Sequence, residues 1–391
     1  MKVVIAPDSF KESVGAATAA ATIARGVRAV FPQAQCCEVP MSDGGEGFTD
    51  AIADGLNAQI MQVPVHDPLG RPVTGRIAVA PGIAALEVAA ANGLDLVHPE
   101  DRDLLGSHTR GVGELLLAAA KAIGPGGRVV VGLGGTATSD GGAGMLAACG
   151  ARLLDHEGRE VEPTPQGLEY LASVDLSGLS PLLAEVQIEA ACDVTAPLLG
   201  PEGAAAVFGP QKGARPEDVP RIDAALERLA KCCTGQTGLG GATVPARQDD
   251  AGAGAAGGLG WALTAVLGAE ARPGVELVAQ TIGLADTIAD ADLVITGEGS
   301  VDAQTLTGKT IGGIAALASQ AQVPCVVLAG RVAPDADVLL EHGVSALLSI
   351  VPGPVSLTEA LASGEENLER TAATAMRLLQ LGAERGPQAS G

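Results

Sequence analysis

Short apolar runs alternate with helical patterns at both ends of the chain. Near the N-terminus, an apolar run from Lys2 to Ala6 ends at Pro7 and a second apolar run covers Cys37 to Pro40. Between them, apolar residues recur every three or four positions, which predicts an amphipathic helix. The residues on its apolar face are Ala17, Ala20, Ala24, Val27 and Phe31. The pattern predicts a strand, a loop and a helix, followed by a second strand.

The same alternation returns in the C-terminal third. It predicts strands at Asp292 to Thr296, Pro324 to Ala329 and Ala346 to Val351, and helices over Val275 to Asp290 and from Ile311. A final amphipathic helix is predicted to carry Leu368, Thr371, Ala372, Ala375 and Leu379 on one face. Five strands alternating with helices are typical of a doubly wound parallel sheet, and a flavodoxin-like strand order is one candidate for it.

The middle of the chain follows a different pattern. Strand-like runs are separated there by long glycine-rich loops, and they lie at Arg76 to Ala80, Ala85 to Ala89, Arg128 to Val131 and Gln187 to Ala191. Because a chain of 391 residues exceeds what one core usually supports, we expect two α/β domains. We predict a discontinuous domain of residues 1–61 and 273–391 and a large inserted α/β domain of residues 62–272.

Composition adds to this picture. Apolar residues make up 47% of the chain but aromatic residues only 2%, so the core must consist of Ala, Val, Leu and Ile. Such a core suits parallel strands covered by helices. The chain has 54 glycines, mostly between apolar runs, which indicates tight turns around ligands.

The net charge of −22 argues against nucleic acid and anionic membranes as partners. Seven cysteines without a CxxC pattern, no stretch resembling a signal peptide and no run of eighteen apolar residues predict a cytoplasmic protein. A small acidic ligand would need local cations. Lys11 and Lys309 lie in loops rich in Gly, Ser and Thr, although both could also be ordinary surface amines.

Two candidate loops follow the first two strands, at the strand ends where such sheets bind ligands. Asp8, Ser9 and Lys11 follow the first strand, and Lys11 would supply charge for an anion unless the other two merely cap the turn. After the second strand, the segment Ser42 to Gly47 presents Asp43 and Glu46 beside Gly44 and Gly45. Carboxylates next to a phosphate require a metal ion between them, and the alternative is a capped helix start.

The segment Gly132 to Gly142 is the strongest candidate for a phosphate cradle. It follows an apolar strand and combines five glycines, including Gly134 and Gly135, with three hydroxyl side chains, Thr136, Thr138 and Ser139. Backbone amides in such a loop can form an anion-binding nest. Asp140 and the hydroxyl residues break the spacing of a dinucleotide fingerprint. A purely structural glycine turn is the alternative.

Three further segments are candidates. Asp193 ends an apolar strand and could hold a metal ion or orient a hydroxyl group, while Gly252 to Gly258 could supply only backbone amides or close packing. Ala303 to Thr310 fits a relaxed Walker A pattern, but we reject a P-loop because residues 297–302 follow the predicted strand first. Lys309 could still reach phosphate. The five histidines show no metal-ligand spacing.

Taken together and in this order, these segments resemble the bacterial glycerate kinase family of the type-1 (glycerate 2-kinase) kind. The matching segments are Ala6 to Lys11, Met41 to Gly47, Asp67 to Pro72, Gly111 to Leu115, Gly134 to Gly142, Cys192 to Val194, Gly252 to Gly260, and Thr296 to Gly299 with Asp302, Gln304, Thr305, Gly308 and Lys309. They span nearly the whole chain.

The resemblance implies a flavodoxin-like domain with a large inserted α/β domain, an active site in the cleft between them, ATP and Mg²⁺ as co-reactants, and D-glycerate as acceptor. The usual product is 2-phosphoglycerate rather than 3-phosphoglycerate. A kinase for a related hydroxy acid or polyol, or a non-catalytic sensor of nucleotides or metabolites, stays open.

Site roles follow from this resemblance. We predict catalytic roles for Lys11, Asp8, Asp43 and Asp193, with Asp43 and Asp193 as candidate Mg²⁺ ligands, and expect Gly134 to Asp140 to hold ATP phosphates. Predicted substrate or phosphate contacts are Ser9, Gly44, Gly45, Glu46, Arg71, Gly134, Gly135, Thr136, Thr138, Asp140, Gly254, Gly257, Thr296, Gly297, Glu298, Asp302 and Lys309.

Overall fold

The protein forms two compact units. The structure, a computed structural model, describes residues 1–306 and 310–384, so the predicted contact Lys309 lies outside the described residues. The first unit contains Met1–Asp43 and the chain from Val275 onward, and the second contains Gly44–Gly274. Each unit has its own hydrophobic core.

The strands of the described residues are β1 Lys2–Ile5, β2 Gln35–Glu38, β3 Gln59–His66, β4 Pro72–Ala80, β5 Ile83–Glu87, β6 Arg128–Gly132, β7 Arg152–Leu154, β8 Ser173–Asp175, β9 Gln187–Ala191, β10 Glu270–Arg272, β11 Leu293–Val301, β12 Cys325–Val332 and β13 Ala346–Ser349.

The α-helices are α1 Ala16–Arg28, α2 Phe48–Leu56, α3 Ala89–Asn92, α4 Arg110–Ile123, α5 Ala143–Ala148, α6 Pro165–Leu168, α7 Pro181–Ala184, α8 Ala204–Phe208, α9 Val219–Cys233, α10 Ala255–Trp261, α11 Gly274–Thr281, α12 Leu284–Ala289, α13 Thr310–Gln320, α14 Leu357–Ala362 and α15 Gly364–Glu384. Short 3-10 turns lie at Leu94–Leu96, Pro99–Asp101, Pro210–Lys212, Leu239–Gly241, Ala303–Leu306 and Ala336–Glu341, and a π-helical turn at Ala262–Val266. None of the described helices is long and apolar enough to cross a membrane.

The first unit contains a five-stranded sheet in the order β2-β1-β11-β12-β13, and every pair is parallel. The five strands predicted from the two ends of the chain are all present, although β2 is Gln35–Glu38 and was predicted at Cys37 to Pro40. Helices α1 and α15 pack against each other, and a Cβ on Gly26 would come within 2.5 Å of the Glu369 carbonyl oxygen. The missing side chain therefore allows the two helices to approach closely.

Three further details of the first unit differ from the predicted pattern. The predicted helix over Val275 to Asp290 is two helices, because the chain adopts φ +68° at Gly283 and starts again. Strand β11 continues to Val301, paired with β12, so Gly297 and Glu298 lie in a strand and not in a loop. Leu379 is 42% exposed, so the buried face of α15 ends before it.

The second unit contains a mixed six-stranded sheet in the order β10-β9-β6-β5-β4-β3. Strands β3, β4 and β5 pair antiparallel, whereas β5, β6, β9 and β10 pair parallel. A separate antiparallel pair joins β7 and β8. Both units therefore combine helices with parallel strands in a mixed α/β fold.

Residues 44–61 belong to the second unit, whereas the sequence pattern assigned them to the first. Helix α2 packs on β4 and β5 of the second sheet. The guanidinium of Arg76 on β4 donates two hydrogen bonds of 2.7 Å to Asp50 on α2. The alternating pattern thus continues past the point where the chain changes units, which is why periodicity alone misplaced the boundary.

Candidate functional site

A cleft in the first unit lies at the carboxyl ends of its parallel strands. It has a volume of about 850 Å³ and is lined by the segment after β1, the ends of β11 and β12, and the segment after β13. Five predicted site residues lie in it, namely Asp8, Ser9, Lys11, Asp43 and Glu298. Ligands of parallel α/β sheets bind at this edge.

Asp8 is a half-buried carboxylate of the cleft. The Ser9 amide donates to its Oδ1 at 2.6 Å and the Thr310 hydroxyl donates to its Oδ2 at 2.5 Å. Burial raises the pKa of Asp8 above its usual value, and the nearby Asp43 raises it further. The hydrogen bonds and the Lys11 ammonium act in the opposite direction. Asp8 is thus a carboxylate with an increased tendency to take up a proton.

Charges of both signs line this cleft. The acidic side chains are those of Asp8, Glu12, Asp43 and Glu298, and the basic ones are those of Lys11 and Arg331. Lys11 and Arg331 are both exposed. Sequence reasoning missed Arg331, because it lies on the part of β12 that extends past the predicted strand end at Ala329. Only the parallel pairing of Ser300 with Arg331 carries it to the ligand edge.

Other predicted residues of this unit make hydrogen bonds within the backbone segments next to the cleft. The Thr296 hydroxyl is fully buried and donates to the Ala6 carbonyl oxygen at 2.7 Å. The carbonyl of Gly297 accepts a 2.9 Å bond from the Asp8 amide. Asp302 accepts from the Gln304 amide at the start of a 3-10 turn. The first two contacts hold β1 and β11 together and fix the backbone at Asp8, whereas the third is local to the turn.

The predicted phosphate loop follows β6 in the second unit, and other segments hold it from several sides. The Gly134 amide donates to the Gly44 carbonyl, the Ala137 amide to Asn92 and the Gly141 amide to Gly257. Gly135 is exposed and Gly134 half-buried, whereas residues 136–142 are buried. The described structure therefore presents the first half of the loop to solvent and uses the second half as an anchor.

Asp140 is the centre of that anchor. Its fully buried carboxylate accepts hydrogen bonds from the Thr109 amide and hydroxyl at 2.8 Å each and from the Gly144 amide at 2.9 Å. The Gly142 amide donates to its other oxygen at 3.1 Å. Burial raises the pKa of Asp140 while these donors lower it. Asp140 fixes the loop to the start of α4 and is enclosed by protein.

Glycines predicted as ligand contacts allow close backbone approach here. A Cβ on Gly257 would come within 2.1 Å of the Thr138 carbonyl oxygen, and one on Gly254 within 2.3 Å of the Pro197 carbonyl oxygen. A Cβ on Gly134 would lie 2.4 Å from the Cα of Gly45. The loop is thus wedged between Gly44–Gly45 and Gly257, whereas Gly254 packs on Pro197. Close packing is the role that the sequence left open for Gly252 to Gly258.

Lys212 is the residue of this region that sequence reasoning missed. Its buried ammonium donates to the Thr136 hydroxyl at 2.9 Å and to the Thr138 carbonyl at 2.7 Å. Burial lowers the pKa of Lys212 to about 7, against a raising effect of Asp140. The sequence shows a lysine between Pro210 and Gly213 in a strongly acidic chain. Its burial depends on the tertiary fold and cannot be recognised from the local sequence.

Three predicted residues lie apart from these contacts. Asp193 is exposed and accepts a 2.9 Å bond from the Gly274 amide at the start of α11, so it acts as a helix cap. Arg71 donates to Asp67 at 2.6 Å and to the Leu96 carbonyl at 2.9 Å. Glu46 is exposed. In the described residues, no group of three or more His, Cys, Asp or Glu side chains is arranged as a metal site.

Comparison with known proteins gives a consistent result. The model of the glycerate kinase family matches residues 3–380. A glycerate kinase of Bacillus subtilis (strain 168) is 45% identical over 95% of this chain and 96% of its own length. The glycerate 2-kinase of Escherichia coli (strain K12) is 40% identical over 98% of this chain and 99% of its own.

A solved structure agrees with these relatives. The crystal structure assigned to glycerate kinase 2 of Salmonella typhimurium LT2 is 42% identical, covers 98% of this chain and 99% of its own, and superimposes with a TM-score of 0.86. These matches cover both units and every candidate loop. The chain therefore belongs to the glycerate kinase family and is a kinase that acts in glycerate metabolism.

Proposed function

We propose that this chain transfers the γ-phosphoryl group of ATP to the 2-hydroxyl of D-glycerate and releases ADP and 2-phosphoglycerate. Membership of the family supports glycerate as acceptor, and the Escherichia coli relative, named a glycerate 2-kinase, supports the 2-hydroxyl. The strand order β2-β1-β11-β12-β13 supports a flavodoxin-like first unit, since it corresponds to 2-1-3-4-5 within that sheet.

The observation that carries the chemical proposal is the cleft that contains Asp8 and Lys11. In the proposed step, the glycerate hydroxyl oxygen attacks the γ-phosphorus as the bond to the bridging oxygen of ADP breaks. Asp8 takes the hydroxyl proton, a role favoured by its raised pKa. Lys11 neutralises the carboxylate of glycerate or the transferring phosphoryl group, which reduces repulsion between two anionic reactants.

We propose further that the nucleotide phosphates bind at the solvent-exposed first half of the Gly134 to Asp140 loop. The carboxylates of Asp43 and Glu298 are hard oxygen donors in the same cleft as Asp8, and such donors are the ligands that Mg²⁺ prefers. Mg²⁺ commonly takes one or two carboxylates and completes its shell with phosphate and water. When bound, it would neutralise charge on the phosphates.

A panel of acceptors tests this proposal. Purified protein with ATP and Mg²⁺ is given D-glycerate, L-glycerate, glycerol or lactate, and ADP release is followed. We expect turnover with D-glycerate to exceed that with glycerol or lactate by at least about 100-fold, because a site built to pair both a carboxylate and hydroxyls rejects analogues that lack one. L-glycerate carries the same groups and tests the stereochemical preference. A preference for glycerol or lactate would support the alternative of a kinase for another acceptor.

A further inference from the structure

The Lys212 ammonium is a buried cation directly beneath the proposed phosphate loop. It lies 76 residues along the chain from Thr136, yet only 2.9 Å separate its Nζ from the Thr136 Oγ1, and 2.7 Å separate it from the Thr138 carbonyl oxygen. The side chain comes from the 3-10 turn Pro210–Lys212, which ends at Gly213 with φ +101°. Only 4% of Lys212 is exposed.

This cation has hydrogen bonds but no ion pair in the part of the chain that the structure describes. The carboxylate of Asp140 interacts electrostatically with Lys212, but its oxygens already accept hydrogen bonds from Thr109, Gly142 and Gly144. An ammonium has three protons to donate, and two are accounted for here. Among the described residues, Lys212 therefore has no direct ion pair.

Burying such a charge destabilises the fold, and an apolar side chain of similar size would avoid this cost. A bound anion would offset this cost of burial, because a negative charge close to the loop interacts strongly with an ammonium in a poorly hydrated environment. The exposed first half of the same loop, at Gly134 and Gly135, is the part that an anion can approach.

We infer that Lys212 is a positioning residue for phosphate binding: through Thr136 and Thr138 it fixes the loop from below, and its charge attracts the nucleotide phosphates above. This inference rests on the proposed use of ATP. It assigns to the second unit a cation for phosphate that the glycine-rich loop itself lacks.

One consequence is proton uptake on binding. Burial lowers the pKa of Lys212 to about 7, so near neutral pH the side chain is protonated in only part of the molecules before ligand binds. A bound anion favours the charged form and raises this pKa, so the protein takes up a proton as nucleotide binds. Affinity should therefore fall as pH rises above 7.

Titration calorimetry at pH 7.5 with the non-hydrolysable ATP analogue adenylyl imidodiphosphate and Mg²⁺ tests this, in buffers of different ionisation enthalpy. We expect wild-type protein to take up a fraction of a proton. Lys212→Met should bind at least tenfold more weakly and lose most of that uptake, while keeping or increasing its thermal stability. The matched control Lys231→Met, an exposed lysine on α9 paired with Glu227, should bind as wild type.

Two results would overturn the inference: wild-type protein that binds without proton uptake, or Lys212→Met that binds with wild-type affinity and uptake. The first remains decisive even if Lys212→Met does not fold. Wild-type protein that binds nucleotide but does not phosphorylate glycerate would instead contradict the proposed function and leave this inference standing. Wild-type protein that does not bind nucleotide would overturn both.

Discussion

Asp8 shows how one residue can be placed for reaction at a cost in stability. It follows the first strand, its backbone is tied to Gly297, and its carboxylate accepts from Ser9 and Thr310. Burial and the neighbouring Asp43 nevertheless raise its pKa. When a carboxyl group has a higher pKa in the folded protein than in the unfolded chain, the folded protein loses stability as pH rises from the lower pKa to the higher one. At neutral pH the ionised Asp8 is therefore unfavourable for folding.

This cost predicts a separation of stability from activity in Asp8→Asn. The neutral amide removes the charge, so we expect the melting temperature at pH 7 to stay the same or rise. Turnover with ATP and glycerate should fall by about 100-fold or more, because the proposed proton acceptor is lost. Calorimetry and steady-state kinetics measure the two effects. Asp249→Asn, at an exposed position, should change neither, and full activity in Asp8→Asn would remove Asp8 from the chemistry.

A second prediction at this scale concerns Lys11. Its exposed ammonium lines the same cleft as Asp8, where it can meet an anionic reactant. Lys11→Ala should lower turnover or raise the apparent KM for glycerate by more than about tenfold. Steady-state kinetics with glycerate as the varied substrate measures this, and Lys231→Ala serves as the control. Unchanged kinetics in Lys11→Ala would place Lys11 outside the site.

Sequence reasoning at the residue scale identified polar residues that follow strands, because strand ends share an edge of the sheet. Asp8, Ser9, Lys11 and Glu298 meet in one cleft for that reason. It could not recognise Lys212, since a lysine in a short turn carries no local sign of burial. Nor could it distinguish a ligand from a cap at Asp193, whose carboxylate caps α11 across 81 residues of chain.

At the scale of elements, the Gly134 to Gly142 loop depends on close packing against the segment around Gly257. Gly257 has φ +72°, and a Cβ there would come within 2.1 Å of the Thr138 carbonyl oxygen. Gly268 has nearly the same φ, +71°, with nothing within 4 Å of its Cβ position. A side chain would strain the backbone to a similar extent at both positions, because both have nearly the same positive φ. At Gly257 it would also collide with a neighbouring atom.

This pair makes a matched test of the loop's packing. Gly257→Ala should destabilise the protein by about 1–3 kcal/mol more than Gly268→Ala, because overpacking forces the loop to shift. It should also weaken nucleotide binding, since the displaced segment includes Thr138. Urea unfolding and nucleotide titration of both variants measure these effects. Equal free energies of unfolding for the two variants would mean that the loop can shift without loss of stability and is not tightly packed against Gly257.

Periodicity predicted the five strands of the first sheet and four strands of the second, but it missed β3 and the long helices α4 and α9. It also failed where glycine or sheet pairing decides. Gly283 divides one predicted helix into α11 and α12 by adopting a left-handed conformation, which a helical pattern does not register. Strand β11 extends to Val301 through polar and glycine residues because β12 pairs with it along that length. Local sequence carries no information on such pairing.

At the scale of the molecule, the second unit is continuous in sequence and has its own core. The chain's single tryptophan, Trp261, is fully buried in that core. Sequence composition predicted two α/β domains, but it could not place the change of unit at residues 43 and 44. Helix α2 carries an ordinary amphipathic pattern that would suit either sheet, and in the structure it packs on β4 and β5 with Asp50 paired to Arg76.

We therefore expect a fragment of residues 44–274 to fold by itself. Its Trp261 fluorescence should show a single cooperative urea transition, because one contiguous core with a buried indole unfolds as a unit. The same transition should be present in the full chain. A fragment whose fluorescence changes gradually with urea, from a state already exposed to water, would show that the second unit depends on the first.

The central claim is transfer of phosphate from ATP to the 2-hydroxyl of glycerate, and phosphorus NMR of the reaction products tests it most directly. Purified protein is incubated with ATP, Mg²⁺ and D-glycerate, and the phosphoglycerate isomers are resolved. We predict 2-phosphoglycerate and ADP in equal amounts. Formation of 3-phosphoglycerate would contradict the position of transfer, and intact ATP beside unreacted D-glycerate would contradict the activity itself.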